Sequence, residues 1–165
     1  SKMAKFLDAV NIEIKGGEEA YSALCMASRR PVLDALLEYK KQGVWIEITC
    51  LIIPGHNDSE EQMNETASWI NENLGEETPL HISRFHPAYK LTKAKPTPLK
   101  TLERLYLVAS KRLRYVYIGN INTKNYENTF CPRCGGLVIA RDNYRVRFEG
   151  PLCRKCGAKI EGVFG

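Results

Sequence analysis

The chain has 165 residues, of which 44% are hydrophobic and 26% charged, with a formal net charge of +5. That suits a soluble globular chain with a real core, either one domain or a domain with a small appendage. No apolar run approaches the ~20 residues of a membrane helix. Ser1 to Leu7 lead only to Asp8 and hold no hydrophobic signal core, so neither a span nor a signal peptide is expected and the chain is read as cytoplasmic.

The charge is divided unevenly. Residues 1–83 hold 7 Lys and Arg against 14 Asp and Glu, a balance of −7, whereas residues 84–165 hold 17 against 5, a balance of +12. A basic half can meet a nucleic acid, a phosphorylated ligand or an acidic partner, or it can simply be a solvated face.

In chain order, Val10, Ile12 and Ile14 alternate with Asn11, Glu13 and Lys15, which predicts a strand over residues 9–15, broken by Gly16-Gly17. A short helix is expected from about Glu18 to Met26. Pro31 suits the first position of a second helix whose face is Val32, Ala35, Leu36 and Tyr39, with Gly43 as its stop. Residues 44–53 are nearly all apolar and read as a strand buried on both faces. Pro54-Gly55 ends it. Asp58 or Ser59 then caps a helix, with Glu61 or Gln62 completing a capping box and Met63, Ala67, Ile70 and Leu74 as its apolar stripe.

A third strand is expected over Leu80 to Phe85, followed by a Lys- and Pro-rich loop at 87–98. Thr97-Pro98 opens a helix with Leu99, Leu102, Leu105, Val108 and Ala109 inward, and residues 114–118 form a fourth strand. Strand and helix alternating in this way imply a parallel sheet with helical crossovers, either a small open α/β sheet or part of a (β/α) barrel. Residues 131–165 lose the helical period. Leu137–Ala140 and Tyr144–Phe148 read as a hairpin around Asp142-Asn143, and a boundary is expected in the polar stretch Asn120–Thr129.

Six cysteines remain to be placed. Cys131-x2-Cys134 and Cys153-x2-Cys156 are separated by 18 residues. A two-residue spacer aims both thiolates of a pair at one point, and Gly135 and Gly157 close each turn. This spacing predicts one tetrahedral metal ion, zinc or, in the same tetrathiolate frame, iron. Four thiolates leave no open position, so the ion is expected to fold the tail and do no chemistry. Two matched pairs fit a thioredoxin-like redox motif poorly. Cys25 and Cys50 stand outside any ligand spacing and read as buried small hydrophobes.

Three polar groups fall near strand ends. Glu13 and Lys15 lie two apart and share a face; on the residues alone, solvent is the simpler destination. Pro54-Gly55-His56-Asn57-Asp58 follows a strand, where ligands bind in parallel α/β folds, and reads equally as a decorated helix cap. His86 ends the third strand, past His81 and Ser83. No Ser-His-Asp or Cys-His order, Walker loop or GxGxxG occurs, so no catalytic residue is assigned.

Asn11–Gly16, Leu51–Asp58, His81–Pro87 and Arg114–Asn120 leading to Glu127–Gly135 occur in an order that resembles the radical S-adenosylmethionine enzymes of the pyruvate formate-lyase-activating-enzyme type. Within them it is similar to the branch called the AmmeMemoRadiSam system radical SAM enzyme, whose members end in such a cysteine ribbon. The resemblance runs along essentially the whole chain. It implies the C-terminal half of a partial (β/α)6 TIM-like barrel with parallel strands, residues 1–122, plus a zinc-ribbon or rubredoxin-like knuckle domain, residues 123–165. It also implies a [4Fe–4S] cluster that cleaves S-adenosylmethionine to a radical which abstracts hydrogen, in activating enzymes from a glycyl residue of a partner protein.

By motif match, Glu13 stands near the ribose, Lys15 meets the methionine carboxylate, His86 lies near the adenosyl group and Asn57 contacts the same ligand. This reverses the solvent reading of Glu13 and Lys15. The family's Cys-x3-Cys-x2-Cys, with a Gly-Gly-Glu stretch after it, is absent from the chain; Gly16-Gly17-Glu18 follows no such cysteine motif. The expectation is therefore a C-terminal portion that shapes part of the cleft and is inactive alone. The alternative is a non-catalytic ribbon docking nucleic acid or an acidic protein through Arg141, Arg145, Arg147, Arg154 and Lys155, with Tyr144 and Phe148 as its only stacking surfaces.

Overall fold

The computed structural model describes residues 3–123, 126–142 and 145–164. Strands β1 (Ala9–Glu13), β2 (Trp45–Ile52), β3 (Leu80–Arg84) and β4 (Val116–Gly119) form one sheet, in sequence order and all parallel. The crossovers carry α1 (Glu18–Ala20), α2 (Arg30–Lys41), α3 (Glu60–Leu74) and α4 (Leu99–Ala109). The chain is thus a mixed α/β protein built on a four-stranded parallel sheet.

Local chemistry sets the helix ends. Ser59 caps α3, accepting from the Gln62 N–H while the Gln62 side chain returns to the Ser59 N–H, so the capping box uses Ser59 and Gln62. Gly43, at φ +75°, turns the chain out of α2. The helix expected over 18–26 is shorter: α1 widens into a π turn at Tyr21–Cys25 and stops at Met26, whose φ is +49°. In α2 the inward residues are Val32, Leu33, Leu36 and Tyr39; Ala35 is exposed, a correction to the expected face.

All three long helices pack on one face of the sheet. Ile46, Ile48, Cys50 and Ile52 of β2 share a single core with Leu36 of α2, Met63, Ala67, Ile70 and Leu74 of α3, and Leu102 and Leu105 of α4. Among the described residues no helix covers the opposite face. Trp45, Glu47, Thr49 and Leu51 are only half-buried, so β2 is not buried on both faces as its composition suggested. Cys50 lies in the core, but Cys25 is half-exposed in the π turn. The fourth strand begins at Val116, two residues late: Arg114 is instead drawn to the turn between α3 and β3, its N–H to the Glu76 carbonyl and its guanidinium to Glu76 and Glu77.

A second sheet, antiparallel, contains β5 (Thr129–Phe130), β6 (Leu137–Asp142) and β7 (Arg145–Phe148) in that order. The expected hairpin is therefore β6–β7; Asn143 and Tyr144 lie outside the described residues. β5 was not foreseen, being two residues long. Among the described residues no helix is long and apolar enough to cross a membrane.

One buried hydroxyl ties the strand ends together. Thr97, wholly buried before α4, donates to the Ile52 carbonyl at 2.5 Å and accepts from the Phe85 N–H at 3.2 Å. Thr97→Val, which keeps the shape and strands both partners, is expected to cost about 1–3 kcal/mol in urea unfolding. Leu107→Ala, at an exposed position of α4, is expected to change stability by no more than about 0.5 kcal/mol.

Candidate functional site

The carboxyl ends of β1 to β4 lie along one edge of the sheet, and the four expected ligand-contacting residues lie on that edge. At the end of β1 the Lys15 ammonium meets the Glu13 carboxylate at 2.7 Å, both side chains about a third exposed. The ladder continues past the strand, with the Ile14 N–H donating to the Thr49 carbonyl at 2.9 Å. Lys15 therefore leaves the sheet on a fixed backbone.

Two further side chains hold that backbone. The Tyr21 hydroxyl accepts from the Lys15 N–H at 3.3 Å and donates to the Glu13 carbonyl at 3.4 Å. Asn57 is buried, only 3% exposed. Its Oδ1 accepts from the Ile53 N–H at 2.7 Å, and its Nδ2 donates to the Lys15 carbonyl at 2.9 Å and the Leu51 carbonyl at 2.8 Å. Both amide protons are thus spent on the backbone, clamping the β1 and β2 loops together. Gly16 permits this approach: at φ +102°, an added Cβ would lie 3.0 Å from the Asn57 Cβ.

Glu13, Lys15 and Asn57 form one cluster. His86 lies two strands away on the same edge, exposed, its Nε2 donating to the Asn120 carbonyl at 3.1 Å. Asn120, at φ +59°, returns a hydrogen bond from Nδ2 to the Arg84 carbonyl at 2.7 Å. His56 is exposed, and Asp58 accepts from the Gly55 N–H at 2.9 Å, tightening the turn before α3.

The uncovered face carries a polar network that the sequence did not reveal. Thr49 donates to Asn11 at 2.9 Å across β1 and β2. Glu47 of β2 meets His81 Nε2 of β3 at 2.9 Å, and the His81 ring stacks on Tyr117 of β4 with centroids 5.1 Å apart. The His81 hydrogen bond holds the Glu47 carboxyl below the usual range, outweighing burial, which acts the other way. Arg141 of β6 lies over the Tyr117 ring, 5.4 Å from its centroid. It is half-buried and turned toward the sheet, away from the outward basic surface of which it was expected to be part. Periodicity could have placed Glu47, Thr49 and His81 on one face only once the register was known.

In the ribbon, the sulfurs of Cys131, Cys134, Cys153 and Cys156 all lie within 4.8 Å of one another, with Cys131–Cys156 at 3.7 Å and Cys134–Cys153 at 3.5 Å. Tetrahedral bonds of ~2.3 Å require sulfur separations of ~3.8 Å, so the four fit a single ion, zinc or iron. The two knuckles repeat one hydrogen-bond pattern. Cys131 N–H donates to the Gly136 carbonyl and Gly135 N–H to that of Cys131, at 2.8 and 2.9 Å; Cys153 and Gly157 do the same toward Ala158 and Cys153, at 2.8 and 2.7 Å. Gly135 and Gly157 have φ of +67° and +70°.

Without an ion the thiols conflict. Burial opposes ionisation of Cys153, but the N–H groups of Cys156 and Lys155 and the neighbouring thiols bring it down to about 7. At Cys134 the Gly136 N–H favours the thiolate, yet desolvation and the sulfurs of Cys156, Cys153 and Cys131 push it up to about 12. A divalent cation removes that conflict by neutralising adjacent thiolates. Cys50, by contrast, is an inert core thiol pushed up to about 12 by burial.

No family model matches the chain. It is 44% identical over 163 residues to the uncharacterized protein MJ0808 of Methanocaldococcus jannaschii, a match covering 95% of this chain and 49% of that protein. The chain thus spans about half the length of the curated relative it matches. Among solved structures, a domain of pyruvate-formate lyase-activating enzyme from Bacteroides vulgatus has a similar fold, with a TM-score of 0.62 at 13% identity over 72% of this chain and 71% of that one. At that identity the likeness is one of fold.

Asn57→Ala leaves one buried N–H and two carbonyls without their partner and is expected to cost about 2–4 kcal/mol in denaturant unfolding; a loss under about 0.5 kcal/mol would contradict the clamp. The four cysteines are expected to retain one equivalent of metal through gel filtration, measured by elemental analysis. The double variant Cys131→Ser, Cys153→Ser should retain essentially none, and an undiminished equivalent would show that the ion sits elsewhere.

Proposed function

We propose that this chain forms the C-terminal part of the S-adenosylmethionine cleft of a radical SAM enzyme of the pyruvate formate-lyase-activating type, with a structural zinc ribbon at its end. The observation that carries the reading is the Lys15–Glu13 pair, set on a clamped backbone at the carboxyl edge of a parallel sheet. The likeness in fold to a domain of an activating enzyme supports it, as does the order of the motifs along the chain. The division proposed is a partial (β/α)6 barrel portion over residues 1–122 and a ribbon over 123–165.

In this reading Lys15 binds the methionine carboxylate. An ammonium has three donors, so it can keep Glu13 while accepting a ligand. Glu13 accepts from ribose hydroxyls. His86, its Nε2 tied to Asn120, presents its ring beside the adenosyl group. Asn57 acts as a positioning residue, through Lys15. S-adenosylmethionine bound in such a cleft supplies the radical chemistry of the family. The [4Fe–4S] cluster that drives it does not fit here: the four ribbon sulfurs close around one ion, and the chain holds no Cys-x3-Cys-x2-Cys. No step is therefore assigned to these residues. In this reading the cluster is held by residues outside this sequence.

Titration of S-adenosylmethionine into the 15N-labelled chain is expected to shift amides at 13–17, 53–58 and 86. Lys15→Ala is expected to weaken that binding about tenfold, while leaving 5′-methylthioadenosine, which has no carboxylate, unaffected. Binding independent of Lys15, or equal losses for both ligands, would count against the assignment.

A further inference from the structure

A cavity of about 460 Å³ lies between the carboxyl end of β4 and the cysteine ribbon, walled by His81, Tyr117, Asn120, Ile121, Glu127 and Arg141 among others. None of Glu13, Lys15, Asn57 and His86 lines it. We propose that this cavity binds a small organic acid, with its carboxylate on Arg141 and an adjacent hydrogen-bond donor on His81 Nδ1.

Arg141 is preorganised as an anion anchor. Its backbone N–H donates to Asn128 Oδ1 at 2.7 Å, and its Nη1 donates to the Glu127 carbonyl at 2.9 Å and Thr129 Oγ1 at 2.8 Å. The guanidinium is further fixed over the Tyr117 ring, so little side-chain freedom remains to be lost on binding. Yet among the described residues it is not in ion-pair contact with a carboxylate. The two acids nearby are engaged: Glu127 accepts from the Thr123 N–H at 3.1 Å and hydroxyl at 3.4 Å, and Glu47 meets His81. A half-buried, rigid guanidinium with no ion-pair contact among the described residues, its charge reaching Glu47 only from farther off, stands on a cavity wall and is suited to a carboxylate.

His81 supplies the second contact. His81 Nε2 is hydrogen-bonded to the Glu47 carboxylate, and Nδ1, an acceptor whenever the ring carries only the Nε2 proton, has no hydrogen-bond partner among the described residues. Stacking on Tyr117 fixes the ring plane. Tyr117 and Ile121 add apolar wall for the ligand's body. The ligand chemistry is thus a carboxylate flanked by a hydroxyl or an ammonium on a compact apolar frame. This site stands apart from the S-adenosylmethionine reading, and failure of either leaves the other intact.

The test uses the full chain with its metal bound, 15N-labelled, and three probes at up to about 10 mM: mandelate with a hydroxyl, phenylglycine with an ammonium, and phenylacetate with neither. Mandelate or phenylglycine is expected to shift amides at 119–122 and 141 and to bind at least about fivefold tighter than phenylacetate. Whichever of the two binds tighter identifies the donor. Arg141→Gln should weaken all three about tenfold, and Arg141→Lys, which keeps the charge, should recover part of the loss. His81→Phe should erase the preference over phenylacetate and leave phenylacetate binding unchanged. Equal binding of the three probes, shifts away from the cavity, no binding at all, or full affinity in Arg141→Gln would each overturn the proposal.

Discussion

A parallel sheet whose helices all lie on one side must satisfy its second face by other means, and that constraint organises this molecule. The helix side is a dry core in which Ile48, Ile52, Leu80, Ile82 and Ile118 are completely buried. The other side pairs its polar groups across the strands, Asn11 with Thr49 and Glu47 with His81, and completes the row by stacking His81 on Tyr117. Such a face is costly against apolar surroundings and suited to water, a polar ligand or a further layer of protein. Here the cysteine ribbon covers its β4 end, through the Tyr117 hydroxyl to Thr129 at 2.9 Å and Arg141 over the same ring.

The carboxyl edge follows from the same geometry. Where parallel strands end, their carbonyls and N–H groups need partners that the sheet no longer supplies. Asn57, Tyr21, Thr97 and Asn120 supply them, each bonding to backbone at the end of a strand. These partners are side chains that cross from one loop to the next, so the loops are fixed relative to one another. Lys15, Glu13 and His86 then project from a rigid edge, the condition under which a few polar groups select a ligand.

Much of this was legible in the sequence, and the reasons differ by residue. The alternation of Val10, Ile12 and Ile14, the Ser59–Gln62 capping box and the paired cysteines carry short-range signals that the structure reproduces. β2 was misread because Trp45 and Leu51, both apolar, sit on the polar face beside Glu47 and Thr49; composition alone made the strand uniform. The Glu47–His81 pair joins residues 34 apart in the chain, so only the strand register discloses it. Asn57 was legible as a loop residue but not as a buried clamp, since one of its partners, the Lys15 carbonyl, lies 42 residues away in the chain. Arg141 looked like one of several ribbon cations until β6 was seen to turn it onto Tyr117.

The carboxyl edge around Lys15 and Glu13 is proposed as one wall of an S-adenosylmethionine cleft. A crystal structure of the chain soaked with S-adenosylmethionine tests it most directly. The account predicts density with the methionine carboxylate within about 2.8 Å of Lys15 Nζ and the ribose hydroxyls toward Glu13. Density lodged elsewhere, with the Lys15–Glu13 pair undisturbed, would contradict it.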